Sequence, residues 1–396
     1  MINQDMYQLG SKRSVIRELF EFGKQISKQY GPENVFDFSI GNPSVPTPET
    51  VKSELLRLIN ETNPMSLHGY TSAQGAPEVR KAIAEDLNSR YGTNFSERNF
   101  YMTVGAAAAL CICFRAIITP KTDEIVTFAP FFTEYRVFVE SNSGKLIVVP
   151  PKLPDFQIDI SELEKYITPR TTAILINSPN NPSGVIYSKE SIQNLSALLK
   201  RKQDEYGHDI YLISDEPYRE ICYEGKQPPF VTKYYPNSLV CYSYSKSLSL
   251  PGERIGYVLV PNEINNFESM YAAICGAGRS LGYICAPTLF QFLLVKHAGS
   301  TSNLSVYKEN RDLLFNGLTK LGFECVYPEG AFYLFMKTKE SDAYKFCEKA
   351  KKYNLLLVPA DDFGCPGYVR IAYCVSGDMI KRSMPSFEKL SNEYRY

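Results

Sequence analysis

From about residue 97 the chain alternates short β-type runs with longer helical ones. The strand-like segments are NFYMTV (99–104), EIVTFA (124–129), KLIVVP (145–150), TAILINS (172–178), IYLISD (210–215), SLVCYSYS (238–245) and GYVLV (256–260). Most are continuously apolar and β-branched instead of alternating, which is the pattern of strands covered on both faces. Helical stretches, notably AAAALCICFRAII and SKESIQNLSALLKRKQDEYG, lie between them. A strand–helix–strand alternation of this length predicts an α/β body with a parallel or mixed sheet wrapped by helices.

After about residue 261 helical signals dominate first, with Leu314, Leu318 and Leu321 at i, i+4 and i+7. Short strands follow in FECVYP, AFYLFMK, NLLLVP and YVRIAY, with helical segments at about 340–353 and 378–394. This predicts a smaller α+β body with its own core. The division expected is an N-terminal segment 1–45 packing with the small body, a large body 46–275, and a small body 276–396.

Composition narrows the class. The chain has 396 residues, 44% hydrophobic and 22% charged, which is globular and ample for a core. Its 43 Lys+Arg balance 43 Asp+Glu, so no global basic field exists to hold nucleic acid or anionic lipid. No apolar run reaches the roughly 18 residues of a membrane span, and no signal peptide is visible at the N-terminus. The ten cysteines include one close pair, Cys111 and Cys113, and no CxxC; reduced thiols in a cytoplasmic protein are expected. His68, His208 and His297 are far apart, so a His-built metal centre is not expected.

In open α/β sheets ligands bind at the carboxyl ends of the strands, so the residues that follow the apolar runs are the candidates for chemistry. TAILINS runs into PNNPSG (179–184), and IYLIS into Asp215-Glu216-Pro217-Tyr218. SYS leads into Lys246, with Arg254 eight residues on, and YMTV leads into Gly105-Ala106-Ala107 at a helix start. Together the blocks SYSKSLSLPGERIGY (243–257), NSPNNPSG (177–184), SDEPYREI (214–221), PEGAFYLF (328–335) and GYVRIAY (367–373) resemble, in order and approximate spacing, those of the fold-type I aminotransferases of class I/II. These enzymes depend on pyridoxal 5′-phosphate. The resemblance runs from SIGNP (39–43) nearly to the end. It implies a mostly parallel seven-stranded sheet with a smaller α+β domain, and an amino-group transfer between an α-amino acid and a 2-oxo acid.

The resemblance also implies roles. Lys246 would form the Schiff base and serve as proton carrier, which needs a depressed pKa. Asp215 would face the pyridine nitrogen, unless it is merely a turn or helix-capping aspartate. Tyr218 and Asn181 would bond the ring's phenolic oxygen, and Phe132 would stack on the ring, with Phe131 competing for that place. Arg254, Ser243, Ser245 and the helix start at Gly105-Ala106-Ala107 would hold the phosphate. Family members often carry a hydroxyl or basic side chain where this chain has Ala106 and Ala107, leaving backbone donors alone there. Tyr70, in LHGYTSAQG, resembles the tyrosine that reaches a neighbouring subunit's cofactor phosphate, which implies a homodimer with shared sites.

Arg370, between apolar neighbours in YVRIAY, needs an anionic partner. The resemblance makes this the substrate α-carboxylate, assisted by Asn181 and the backbone near Gly41; the alternative is an internal salt bridge. Arg279 is a candidate for selecting aspartate or glutamate from across a subunit boundary, while the twenty-eight tyrosines offer ways to line a pocket for neutral or aromatic side chains. Two rival readings stand beside transamination: a carbon–sulfur β-lyase or decarboxylase on the same scaffold, and a non-catalytic module that senses the cofactor. The second would need a helix-turn-helix domain, which the short segment ahead of SIGNP does not provide.

Overall fold

The protein is described by a computed structural model over residues 1–11, 15–119 and 122–394. Its strands in chain order are β1 (Phe36–Asp37), β2 (Phe100–Thr103), β3 (Glu124–Phe128), β4 (Lys145–Val149), β5 (Thr171–Asn177), β6 (Tyr211–Asp215), β7 (Ser238–Ser243), β8 (Gly256–Leu259), β9 (Cys325–Val326), β10 (Tyr333–Lys337), β11 (Leu355–Leu356), β12 (Val358–Pro359) and β13 (Tyr368–Ala372). Seven form one sheet in the order β2-β8-β7-β6-β5-β3-β4. Only β8 runs against its neighbours, pairing antiparallel with β2 and β7, while the pairs among β3, β4, β5, β6 and β7 are parallel. The expected mostly parallel seven-stranded α/β sheet is present.

Successive residues of these strands enter different cores, which explains the continuous apolar runs. Ile174, Ile176, Leu212 and Val240 pack with Ile192, Leu195 and Leu199 of the helix Lys189–Tyr206 and with Val79, Ile83 and Leu87 of the helix Pro77–Tyr91. Ala173, Leu175, Ile213 and Leu239 point the other way, onto Ala109, Ile112 and Cys113 of the helix Ala106–Ile117 and onto Ile274 and Ala277 of the helix Phe267–Ser280. Each Leu or Ile so buried contributes about 1.5–3 kcal/mol.

The small body is a four-stranded antiparallel sheet, β12-β13-β10-β9. It is packed by the helices Ser305–Lys320, Ala343–Lys351 and Gly377–Asn392 through Leu314, Leu318, Phe346, Ile380 and Phe387. The segment NLLLVP, which reads as one strand, serves two sheets: β11 pairs parallel with β1, and β12 pairs with β13. Through β1, Phe36 and Phe38 the N-terminal segment joins the small core. The helix Thr288–His297, assigned to the small body by the sequence division at 276, packs otherwise: Leu293 and Leu294 complete the large-sheet core with Val51, Leu58 and Ile83. The change of core falls between this helix and Ser305.

No helix among the described residues is long and apolar enough to cross a membrane. All ten cysteines are free thiols, with Cys113 and Cys241 in contact at 3.6 Å but unbonded.

Candidate active site

The carboxyl ends of β2, β3, β5, β6 and β7 open on one edge of the large sheet, where a cavity of about 250 Å³ is lined by Ala106, Ala107, Phe132, Asn181, Asp215, Tyr218, Ser243, Ser245, Lys246 and Arg254. Ten of the sequence-derived site residues thus share one space. Leu110, Phe138, Asn177, Pro217 and Pro251 complete the lining; reading the sequence alone did not single them out.

Lys246 stands in the short helix Tyr244–Ser247, which continues directly from β7 and is capped by the Ser243 hydroxyl accepting from the Ser245 N–H. The Lys246 Nζ donates to the Gly41 carbonyl at 2.7 Å and lies 5.5 Å from the centre of the Phe332 ring. Burial, aided by the charges of Arg254 and Arg370 and opposed by Cys374, brings its pKa down to about 8. A tenth or so of the amine is therefore neutral at pH 7, roughly three hundred times the fraction of an ordinary lysine.

Asp215 ends β6. Its Oδ2 accepts from the Tyr135 hydroxyl at 2.6 Å, whereas its Oδ1 is buried and has no partner among the described residues. The Asn177 side-chain amide donates to the Asp215 backbone carbonyl at 2.8 Å, tying the ends of β5 and β6. Burial drives the Asp215 carboxyl up to about 7, with Glu216 adding to the rise and the Tyr135 bond opposing it. A buried carboxylate oxygen without a donor, at the wall of a cavity, costs free energy until a cation or N–H meets it. Asp215 is not a helix cap: no side-chain hydrogen bond to a following backbone N–H is formed.

At the end of β2, Gly105 has φ +89°, and a Cβ built there would lie 2.5 Å from Arg254 Nη2. Only glycine leaves room for that guanidinium beside the helix start at Ala106. Arg254 itself sits in the left-handed region (φ +53°) and donates to the Pro251 and Val104 carbonyls at 2.8 and 3.3 Å. The Ser243 and Ser245 hydroxyls meet at 2.6 Å. Three anion donors, a guanidinium, paired hydroxyls and the uncapped N-terminus of the twelve-residue helix Ala106–Ile117, therefore converge on one end of the cavity. This donor set fits a phosphate dianion, and the orphaned Asp215 oxygen fits a protonated ring nitrogen.

Between Phe131 and Phe132 the geometry decides. Phe131 is buried under Gly364 and its backbone N–H bonds the Phe363 carbonyl, so Phe132 is the ring that lines the cavity.

Arg370, on β13, is buried. Its Nη1 donates to Asn181 Oδ1 at 3.2 Å and its Nη2 to the Ser39 carbonyl at 2.5 Å, while Nε has no partner among the described residues. Among the described residues no carboxylate pairs with it, so the internal salt bridge is not formed. Tyr218 is held by Tyr333, hydroxyl to hydroxyl at 3.0 Å. The Asn181–Pro182 peptide bond is cis.

Two expected site residues lie away from this cavity within the chain. Tyr70 is 92% exposed, and Arg279 is exposed in the last turn of the helix Phe267–Ser280. Among the described residues no cluster of His, Cys, Asp or Glu has metal-ligand spacing.

Fold and donor set together fit a phosphorylated pyridine ring held at the carboxyl edge of the large sheet. The chain matches the family "Aminotransferase class I and II" over residues 33–385. It is 30% identical over 366 residues to an aspartate aminotransferase of Thermotoga maritima, covering 91% of this chain and 92% of that one. It is 31% identical over 357 residues to an aspartate/prephenate aminotransferase of Thermus thermophilus, covering 88% and 89%. A solved aminotransferase from Eubacterium rectale superposes with a TM-score of 0.99 at 57% identity over the whole of both chains. The chain belongs to the class I and II aminotransferase family and is a transaminase; family members of this fold use pyridoxal phosphate.

Proposed function

We propose that this transaminase binds pyridoxal 5′-phosphate in the cavity between Asp215 and Lys246 and exchanges amino groups between an α-amino acid and a 2-oxo acid, with aspartate and glutamate as the first candidate donors. The observation that carries the reading is the presence at the walls of one cavity of an amine with a depressed pKa, Lys246, and a carboxylate oxygen on Asp215 that has no partner among the described residues. When bound, the cofactor supplies an aldehyde carbon for the amino group and a protonated ring that spreads the charge left when the substrate Cα loses its proton.

The chain's residues divide the remaining work. Asp215 Oδ1 accepts the ring N–H, which keeps that nitrogen protonated at neutral pH. Arg254, Ser243, Ser245 and the backbone N–H groups of Ala106 and Ala107 grip the phosphate. Phe132 covers a ring face. Tyr218 donates its hydroxyl proton into the cavity, and Asn181 adds its amide. Arg370 presents its free Nε edge to the α-carboxylate, steadied by Asn181 and the 39–41 backbone. Lys246, released from Gly41, takes the proton from Cα and returns it, a task suited to a base with a pKa of about 8.

The same proposal makes the enzyme a homodimer. Tyr70, Met65, Ile59, Leu56, Ile284 and Val295 are large exposed apolar residues on and around helices that pack side by side. Tyr70 and Arg279 would reach the partner's cavity across that face, as the sequence resemblance implies. Ten free thiols support a reducing, cytoplasmic setting.

The test is a panel of amino donors with 2-oxoglutarate, scored by oxo-acid formation, on the wild type and on Arg279→Leu. The substitution should raise KM for aspartate by at least tenfold while leaving alanine nearly unchanged. Equal effects on both donors would remove Arg279 from substrate selection.

A further inference from the structure

Tyr333 opens β10 and is buried, 2% exposed. Its hydroxyl has one hydrogen-bond partner among the described residues, the Tyr218 hydroxyl at 3.0 Å. A phenol carries a single proton, and a buried hydroxyl proton left without an acceptor is costly. The proton of Tyr333 therefore goes to the Tyr218 oxygen, and the Tyr218 proton is left to turn elsewhere. Tyr218 lines the cavity.

Three further contacts fix this arrangement. The guanidinium of Arg370 lies 4.7 Å from the centre of the Tyr333 ring, a cation that makes the phenol a better donor. The rings of Tyr218 and Tyr333 meet edge to face at 5.7 Å. A Cβ at Gly41 would fall 1.9 Å from the Tyr333 hydroxyl oxygen, so the backbone that accepts from Lys246 is shaped to admit this hydroxyl.

We propose that Tyr333 is a positioning residue that aims the Tyr218 proton into the cavity and strengthens Tyr218 as a donor to the ligand's ring oxygen. The inference rests on the cofactor reading above. It extends that reading by linking the carboxylate site at Arg370 to the ring-oxygen site at Tyr218 through one phenol.

The test substitutes Tyr333→Phe, which keeps the ring under Arg370 and deletes only the hydroxyl. The readout is the pH midpoint of the visible absorbance of the protein loaded with pyridoxal 5′-phosphate. With Tyr218 a weaker donor, the ring oxygen becomes more basic and the midpoint should rise by about half to one pH unit. In a Tyr218→Phe background, adding Tyr333→Phe should move the midpoint no further. An unmoved midpoint in the loaded single variant, or an equal extra shift in the Tyr218→Phe background, would overturn the inference alone. A wild type that forms no visible band with the cofactor would instead remove the functional reading, and this inference with it. Melting curves of the loaded variants report whether the packing survives.

Discussion

Asp215 and Lys246 are both displaced towards their neutral forms by burial, and they tilt stability in opposite directions with pH. Folded, the Asp215 carboxyl keeps its proton up to about 7, against 3.8 for an ordinary one. The folded cofactor-free protein thus binds the extra proton between those values, and its stability falls as pH rises through that window. For Lys246 the unfolded chain holds the extra proton between about 8 and 10.5, so stability recovers somewhat as pH climbs through that range. Asp215→Asn retains an acceptor for Tyr135 without the charge. It should raise the melting temperature of the cofactor-free protein at pH 8, by a free energy on the order of a few kcal/mol, with the gain shrinking towards pH 4. A gain that does not change with pH would contradict this account. The residues legible in the sequence were those whose type is odd for their surroundings, such as an aspartate, a lysine or an arginine at the edge of an apolar run. Tyr135, Asn177 and Tyr333 escaped because an aromatic or amide in an apolar string looks like core or turn, and only the folded geometry shows which polar atom it serves.

The seven strand-like runs all became strands because both faces of the large sheet are covered, which leaves an unambiguous apolar signature. Where a segment serves two partners the signature blurs: NLLLVP reads as one strand, yet Leu357 separates β11 from β12, and two-residue β1 has no pattern long enough to read. The position of the helix Thr288–His297 was equally hidden, since its apolar residues fit either core. Among the loops, the turn from β2 into the helix Ala106–Ile117 carries a definite expectation. Gly105→Ala adds a Cβ against Arg254 and strains a backbone at φ +89°. The dissociation constant for pyridoxal 5′-phosphate should rise by roughly tenfold or more, whereas that for unphosphorylated pyridoxal should barely change. Equal losses for the two ligands would show that the turn does not form the phosphate grip.

Across the whole molecule, the two bodies are tied beside the cavity. Arg311 of the small body is fully buried and forks onto Glu224 at 2.8 and 2.5 Å, and the Tyr223 hydroxyl donates to the Ala331 carbonyl at 2.5 Å. Beside these ties, Arg370 of the small sheet donates to Asn181, which follows β5, and Tyr333 bonds Tyr218, which follows β6. The site is therefore a property of the assembled chain and not of either body. If Tyr70 and Arg279 act across a subunit boundary, the assembly extends to a second copy, and sedimentation should give twice the mass of one chain at micromolar concentrations; a monomer there would leave both residues without a site. The most direct test of the central claim is borohydride reduction of the protein after incubation with pyridoxal 5′-phosphate, followed by mass mapping of the peptides. The account predicts a yellow protein that bleaches on reduction with one covalent adduct, on Lys246; a colourless protein, or an adduct on other lysines only, would contradict it.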